Sequence, residues 1–182
     1  MPRAHGPWTI LETIEKYKNP WIRVTEDQVL RPDGSPGIYG VVNVKPGISV
    51  LPIDADGYIY LTKEFHYAFG EVTIETVSGG IDAHEQPIDA ARRELEEELG
   101  IVAKTWTDMG PLYPVTSIIH LPMQLFIAED ISFVSTRPEI TELISVIKVS
   151  LAEAMQMVMN GDITHSVSCV LVLKAAHHFK LQ

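Results

Sequence analysis

The 182-residue sequence predicts an α+β protein, with a mixed β-sheet between helices and a β-strand annex at its N-terminal end. Three observations predict it. Strand-like runs come before, between and after the helix-like runs, without the regular strand–helix alternation of a doubly wound fold. A hydrophobic fraction of 46% against 21% charged residues is enough for a real core in one domain of this length. The first 45 residues carry their own strand pair, closed by a turn-rich link, ahead of the main body.

The elements follow in order. Residues 8–20 read as a short helix or an irregular lead-in. "WIRVTEDQVL" and "GIYGVVNV" read as strands, and the link "RPDGSPG", with two prolines and two glycines, turns one into the other. "ISVLPID" and "YIYLTKEFHY" read as a second hairpin with Asp56-Gly57 in its turn. "EVTIETV" is a further strand, and "MQLFIAEDI" and "LISVIKVS" are later ones. "LAEAMQMVMNG", ended by Gly161, and "SVSCVLVLKAAHHF" read as closing helices. Residues 132–142 form a polar stretch between two strands, the kind of surface loop that carries function on a rigid scaffold. The expected division is an annex over 1–45 and a main domain over 46–182.

Composition excludes several classes. A net charge of -10 leaves no general surface for neutralising nucleic-acid phosphates. A phosphorylated small molecule would have to be attracted by something other than bulk charge, and a divalent cation is the obvious agent. The single cysteine, Cys169, rules out an internal disulfide or a site of several thiolates, and its setting "SVSCVLVLKAA" reads as a packed, inert thiol. There is no apolar run of signal-peptide type at the N-terminus and none that reaches a membrane span. A soluble, cytoplasmic protein is expected.

The chemistry concentrates in "GGIDAHEQPIDAARRELEEELGI", Gly79 to Ile101. Five glutamates lie here, four of them between Glu94 and Glu98. Like charges three and four residues apart weaken a helix by a few tenths of a kcal/mol per pair, about 0.2–0.5. Pro87 suits the first helical turn, Asp89 sits near its positive end, and Gly100 is placed to stop it. At 100° per residue, Ile88, Ala91, Leu95 and Leu99 share one apolar stripe. Glu94, Glu97 and Glu98 fall on the arc beside that stripe, while Glu96 lies on the other flank, in solvent. Arg93 is one helical turn before Glu97 and can pair with it. Three carboxylates gathered beside the core repel one another unless a cation sits among them. Carboxylates without thiolate or imidazole suit a hard, oxygen-loving ion, Mg²⁺ or Mn²⁺.

An acidic run on a helix is most often just a solvated face. The frame around this one decides otherwise. It fits Gly-x5-Glu-x7-Arg-Glu-(apolar)-x-Glu-Glu-x-Gly-(apolar) with no mismatch, through Gly79, Glu85, Arg93, Glu94, Glu97, Glu98 and Gly100, with Leu95 and Ile101 apolar. A chance match of seven fixed residues is on the order of one in a million per chain.

This frame resembles the signature of the Nudix hydrolases. The resemblance implies a mixed sheet between helices, with the motif as loop–helix–loop, and cleavage of a nucleoside diphosphate linked to another group with Mg²⁺ or Mn²⁺. It implies Glu94, Glu97 and Glu98 as metal ligands, the main-chain carbonyl of Ser78 as a further ligand, and Arg93 as the residue that orients the glutamates. Glu85, Gly79 and Gly100 would be structural parts of the motif, Glu85 ordering its loop.

"NPWIRV", "RPDGSPGIYGVV", "IETVSGGID" and the C-terminal "ISVIKVSLAEAMQMVMNGDITHSVSCVLVLKAA" are similar to the ADP-ribose and nucleoside-diphosphate-sugar pyrophosphatase branch. That likeness implies a homodimer whose N-terminal strands pack across the two-fold axis, each active site borrowing from the partner. It implies Trp21 and Tyr39 as aromatics that sandwich the base, one from each subunit. It implies a general base on the loop before "LISVIKV", where Glu139 and Glu142 are the candidates and Glu139 lies nearer mid-loop. Trp8, Tyr17 and Trp106 are left as packing or surface residues.

Two departures stand out. The usual "E-L-P-A-G-G" reads "ETVSGG", with Val77 at the proline position. The usual "Q-Y-R" reads "EFH", so His66 replaces an arginine that contacts phosphate or the terminal sugar, and a permanently charged fork is lost. Three other readings compete. One is a Nudix sensor that binds a nucleotide sugar without cleaving it. Another is a Nudix enzyme for nucleoside triphosphates, dinucleoside polyphosphates or RNA caps. The last is an acidic surface helix in a structural protein. The intact motif, the annex and the C-terminal half favour hydrolysis of nucleoside diphosphate sugars, without nucleic-acid or membrane partners.

Overall fold

A computed structural model describes residues 1–135 and 144–181. The chain runs β1 (Arg3–His5), β2 (Trp8–Lys18), β3 (Ile22–Leu30), β4 (Pro36–Val44), β5 (Gly47–Pro52), β6 (Tyr58–His66), β7 (Glu71–Glu75), β8 (Val77–Gly80), α1 (Pro87–Leu99), β9 (Ile101–Leu112), β10 (Ile119–His120), β11 (Met123–Phe133), β12 (Ser145–Ser150), α2 (Leu151–Asn160) and α3 (Ser166–His178). Two compact units result: Met1–Pro46 with Tyr113–Pro122, and Gly47–Leu112 with Met123–Gln182.

The smaller unit is a sheet in the order β1-β2-β3-β4-β10. The expected hairpin is there, with β3 and β4 antiparallel from Ile22↔Val44 to Leu30↔Pro36. Of residues 8–20, expected as a helix or lead-in, Trp8–Lys18 form the long strand β2 instead. It pairs antiparallel with β3 through two register shifts, at Ile10/Glu12 and Glu15/Tyr17. "TILETIEKYK" carries mixed spacing, and the free edge of β3 supplies ladder partners that an isolated segment lacks. Tertiary pairing overrides weak local propensity here.

The larger unit holds two sheets, β8-β5-β11-β9 and β12-β6-β7. The first is mixed: β11 runs parallel to β5 and antiparallel to β9. All of β5 is buried, so both of its faces are covered. Ile48 and Val50 pack with Val77, Ala90, Ala91, Leu95 and Leu99 on the α1 side. Ser49 points the other way, since neighbouring strand residues alternate faces. It reaches a hydroxyl group that is bonded to Ser168 of α3. The sheet therefore lies between α1 and α3.

The anticipated β5–β6 hairpin forms only at its turn. Gly57 donates to Asp54 O and Asp54 donates to Tyr58 O, and beyond the bridge Ile53↔Ile59 the two strands enter different sheets. Asp54 anchors that turn. Its carboxylate accepts from Tyr58 N at 2.9 Å and Tyr60 Oη at 3.0 Å, and lies 2.8 Å from Lys148 Nζ on β12. Burial pushes this carboxyl up, but Lys148, the Tyr58 amide and the Tyr60 phenol outweigh it and hold it at about 2, against an ordinary 3.8. A carboxyl depressed by folding stabilises the fold above its unfolded value and loses that contribution as pH falls through its folded one. Asp54→Ala is therefore expected to melt below the wild type at pH 7 and to converge with it as pH drops from 3.8 towards 2. Thermal melts of the two proteins across pH 2–7 check this.

Candidate active site

Local sequence builds the acidic helix as expected. Pro87 opens α1, Asp89 lies in its first turn, and Gly100 closes it in the left-handed region at φ 59°. A left-handed residue is nearly free of cost only as glycine, and Gly100 N–H turns back to Glu96 O at 2.9 Å. Ala90, Ala91, Leu95 and Leu99 are buried. Glu94, Glu97 and Glu98 are half-buried along the adjacent edge, and Glu96 is exposed.

Arg93 ties this edge together. Its Nε and Nη2 grip both oxygens of Glu85 at 3.0 and 3.1 Å. Its Nη1 donates to Glu94 Oε1 at 2.8 Å and Glu97 Oε2 at 3.2 Å, and Nη2 also reaches Gly80 O at 3.0 Å. A planar fork with five N–H groups can serve four acceptor groups at once, which a lysine cannot. The bonds to Glu85 raise the Arg93 guanidinium further above its already high range. Glu85, held down first of all by Arg93, also accepts from Asp82 N at 2.8 Å and so fixes the loop ahead of the helix.

Gly79 gives Glu94 its place. A Cβ on Gly79 would stand 2.0 Å from the Glu94 carboxyl carbon and 2.1 Å from its Oε1. The carboxylate lies directly on the backbone of β8. Gly79→Ala is therefore expected to leave the protein folded, because Glu94 can swing away. Its Mn²⁺ affinity should nonetheless fall by about tenfold, the range for a displaced ligand support. Calorimetric titration of Mn²⁺ into both proteins reads this directly.

The donor set beside Gly79 is carboxylate, the chemistry of a hard dication. Among the described residues no three acidic or imidazole side chains converge on one point as they stand. Glu94 and Glu97 each spend an oxygen on Arg93, so ion binding would redirect their remaining oxygens. With that adjustment the residues fit such an ion.

Ser78 lies on β8 opposite Ser49, one residue before Gly79. His66 ends β6, its Nε2 buried and 3.0 Å from Glu75 Oε1 but without hydrogen-bond alignment. Trp21 is 69% exposed at the bend before β3, where Asn19 Oδ1 accepts from Trp21 N and Ile22 N. Tyr39 packs edge-to-face on Trp8 at 5.6 Å and donates its hydroxyl to Ser117 O. These two also wall a cavity of about 490 Å³ in the smaller unit, together with Ile10, Val29 and Ile118. One chain does not bring Trp21 and Tyr39 together: Trp21 precedes Ile22, which pairs with Val44, five residues along β4 from Tyr39 and about 17 Å away. Glu139 and Glu142 lie outside the described residues. Cys169 is partly exposed, not fully packed, and its thiol donates to Ile163 O at 3.2 Å.

Sequence reasoning passed over Glu75. Its carboxylate accepts from Thr73 Oγ1 at 2.6 Å and lies 2.9 Å from His165 Nδ1. Burial pushes it up, yet the hydrogen bonds from His165 and Thr73 outweigh it and hold it below the usual range. His165 is 90 residues away in sequence and carries no motif, so only the fold could reveal the pairing.

Comparison with known proteins places the chain in a family. Residues 44–154 match the NUDIX domain family, and residues 8–42 match the nucleoside diphosphate sugar hydrolase N-terminal domain. The chain belongs to the Nudix family. It is 27% identical to an ADP-ribose pyrophosphatase of Bacillus subtilis (strain 168), over 75% of each chain. It is 28% identical to an ADP-ribose pyrophosphatase of Mycobacterium tuberculosis (strain ATCC 25618 / H37Rv), over 81% of this chain and 72% of that one. A crystal structure of an ADP compounds hydrolase shares the fold, with a TM-score of 0.84 at 20% identity, over 98% of this chain and 97% of that one. No helix among the described residues is long and apolar enough to cross a membrane.

Proposed function

We propose that this Nudix enzyme hydrolyses the pyrophosphate bond of nucleoside diphosphate sugars of the ADP-ribose type, giving a nucleoside monophosphate and a sugar phosphate. One observation carries the reading: the Arg93-bound carboxylate edge of α1 follows, in the same chain, a segment that matches the N-terminal domain of nucleoside diphosphate sugar hydrolases. The two ADP-ribose pyrophosphatases among its relatives support the same substrate class.

Glu94, Glu97, Glu98 and the Ser78 carbonyl would hold Mg²⁺ or Mn²⁺. When bound, such an ion neutralises phosphoryl oxygens and lowers the pKa of the attacking water. Arg93, locked by Glu85, keeps Glu94 and Glu97 turned to one side of the helix and blocks their mutual retreat into solvent. A loop carboxylate, Glu139 in preference to Glu142, takes the proton as water attacks one phosphorus and the bond to the bridging oxygen breaks. His66, in place of the family's arginine, would contact the phosphate or the terminal sugar. Trp21 of one subunit and Tyr39 of its partner would stack on the base from either side, a contact tolerant of base identity because every base has a π-face. The annex over 1–45 serves base binding and dimerisation in a cytoplasmic homodimer.

A hydrolysis screen with Mg²⁺ or Mn²⁺ over ADP-ribose, GDP-mannose, UDP-glucose, NADH and GTP tests the assignment. Turnover of the diphosphate sugars is expected, and turnover of GTP alone would refute it. In the same assay Glu139→Gln should lose about 10²- to 10⁴-fold in kcat, the usual contribution of a general base, and Glu142→Gln should lose much less. Full activity in both places the base elsewhere.

A further inference from the structure

A buried line of hydroxyl groups crosses the larger unit behind the acidic edge. Ser78 Oγ lies 3.0 Å from Ser49 Oγ, which lies 2.6 Å from Thr76 Oγ1. Thr76 Oγ1 is 3.0 Å from Ser168 Oγ, and Ser168 Oγ is 2.9 Å from His165 Nδ1 beside Glu75. Ser49, Thr76 and Ser168 are 0%, 1% and 0% exposed. Hydroxyls this deep are costly unless each is bonded, and well-packed apolar groups of the same shape would serve stability as well. What hydroxyls add is direction.

The place they fix is specific. Thr76 fills the single-residue gap between β7 and β8, where the chain leaves one sheet of the larger unit for the other. Its N–H goes to Ser168 Oγ on α3, at 2.9 Å, and not to a strand. Two residues on, Ser78 donates to Thr76 O or Ser49 Oγ, both at 3.0 Å, closing the turn from the same side. The next residue, Gly79, carries the Glu94 carboxylate on the opposite face. No proline ring locks φ within this segment, where Val77 stands. The hydrogen bonds restrain it instead.

We propose that Ser168, acting through Thr76 and Ser49, is a positioning residue for the Ser78–Gly79 segment, and that the affinity of this segment for a divalent cation depends on it. The inference rests on the reading of Ser78 and Glu94 as ion ligands. Support bonded directly to metal ligands is worth about 10- to 100-fold in metal affinity, and a line acting through further hydroxyls belongs at the low end of that range.

The test is Mn²⁺ binding to the full chain, read from the paramagnetic resonance signal of free Mn²⁺. The dissociation constant should rise about tenfold in Ser168→Ala and in Thr76→Val, which keeps the shape and loses the hydroxyl. It should stay within about twofold of wild type in Thr76→Ser, which keeps the hydroxyl, and in Ile59→Val, a buried truncation on β6, outside the sheet that carries Ser49 and Ser78. Should Ser168→Ala fail to fold, the Thr76 pair carries the comparison. Wild-type affinity in Thr76→Val, or an equal loss in Thr76→Ser, overturns the proposal. Glu98→Gln separates the two levels. If it binds Mn²⁺ as wild type does, the ion-site reading falls and the inference with it. If it loses Mn²⁺ while Ser168→Ala and Thr76→Val do not, only the inference falls.

Discussion

Glu98→Gln should lower kcat/KM for ADP-ribose by about 10³-fold, because charge neutralisation at a phosphoryl centre is worth several kcal/mol and each 1.4 kcal/mol is a decade. The substitution keeps the size of the side chain and removes one negative charge from the edge shared by Glu94, Glu97 and Glu98. The loss should be accompanied by a second signature. Saturating Mn²⁺ should raise the melting temperature of the wild type, since an ion that binds only the folded state stabilises it by mass action. In Glu98→Gln that shift should shrink or vanish. A variant that lost activity yet kept the full shift would place Glu98 outside the ion site. A variant that kept activity would refute the central reading.

Arg93→Lys should cost about 10- to 100-fold in kcat/KM, the range for residues that hold metal ligands in place. Charge is preserved, so the loss isolates the fork. Lysine cannot meet both oxygens of Glu85 while reaching Glu94, Glu97 and Gly80 O, as Arg93 does. The Mn²⁺ concentration for half-maximal rate should rise with it, because Glu94 and Glu97 lose their common anchor. Stability should suffer less. Arg93 is 31% exposed, so solvent screening limits its folding contribution to about 1–2 kcal/mol. Melting curves and metal-dependent rates measured together separate these effects. Equal falls in stability and activity would make Arg93 a structural residue only.

The acidic helix was legible because its information is local. Pro87, Asp89 and Gly100 mark its ends, and a 100° step separates Leu95 from Glu97 and Glu96 without any fold in hand. The seven-residue frame carried the family for the same reason. The strand β2 was not legible, because "TILETIEKYK" becomes a strand by pairing with β3, an event outside its own sequence. The β5–β6 turn was legible at Asp56-Gly57, but the divergence of its strands into two sheets depends on β11 and β12 claiming their edges. The hydroxyl line was least legible of all. Thr76 and Ser78 alternate as strand residues do, but Ser168 lies 92 residues away and looks like any small residue on an apolar helix.

The most direct measurement is an anomalous difference map at the manganese edge, from crystals grown with Mn²⁺ and the product nucleoside monophosphate. The account predicts manganese bordered by the carboxylates of Glu94, Glu97 and Glu98 and the main-chain carbonyl of Ser78. Manganese bound elsewhere, with those three carboxylates turned out to solvent and Arg93 alone among them, would contradict it.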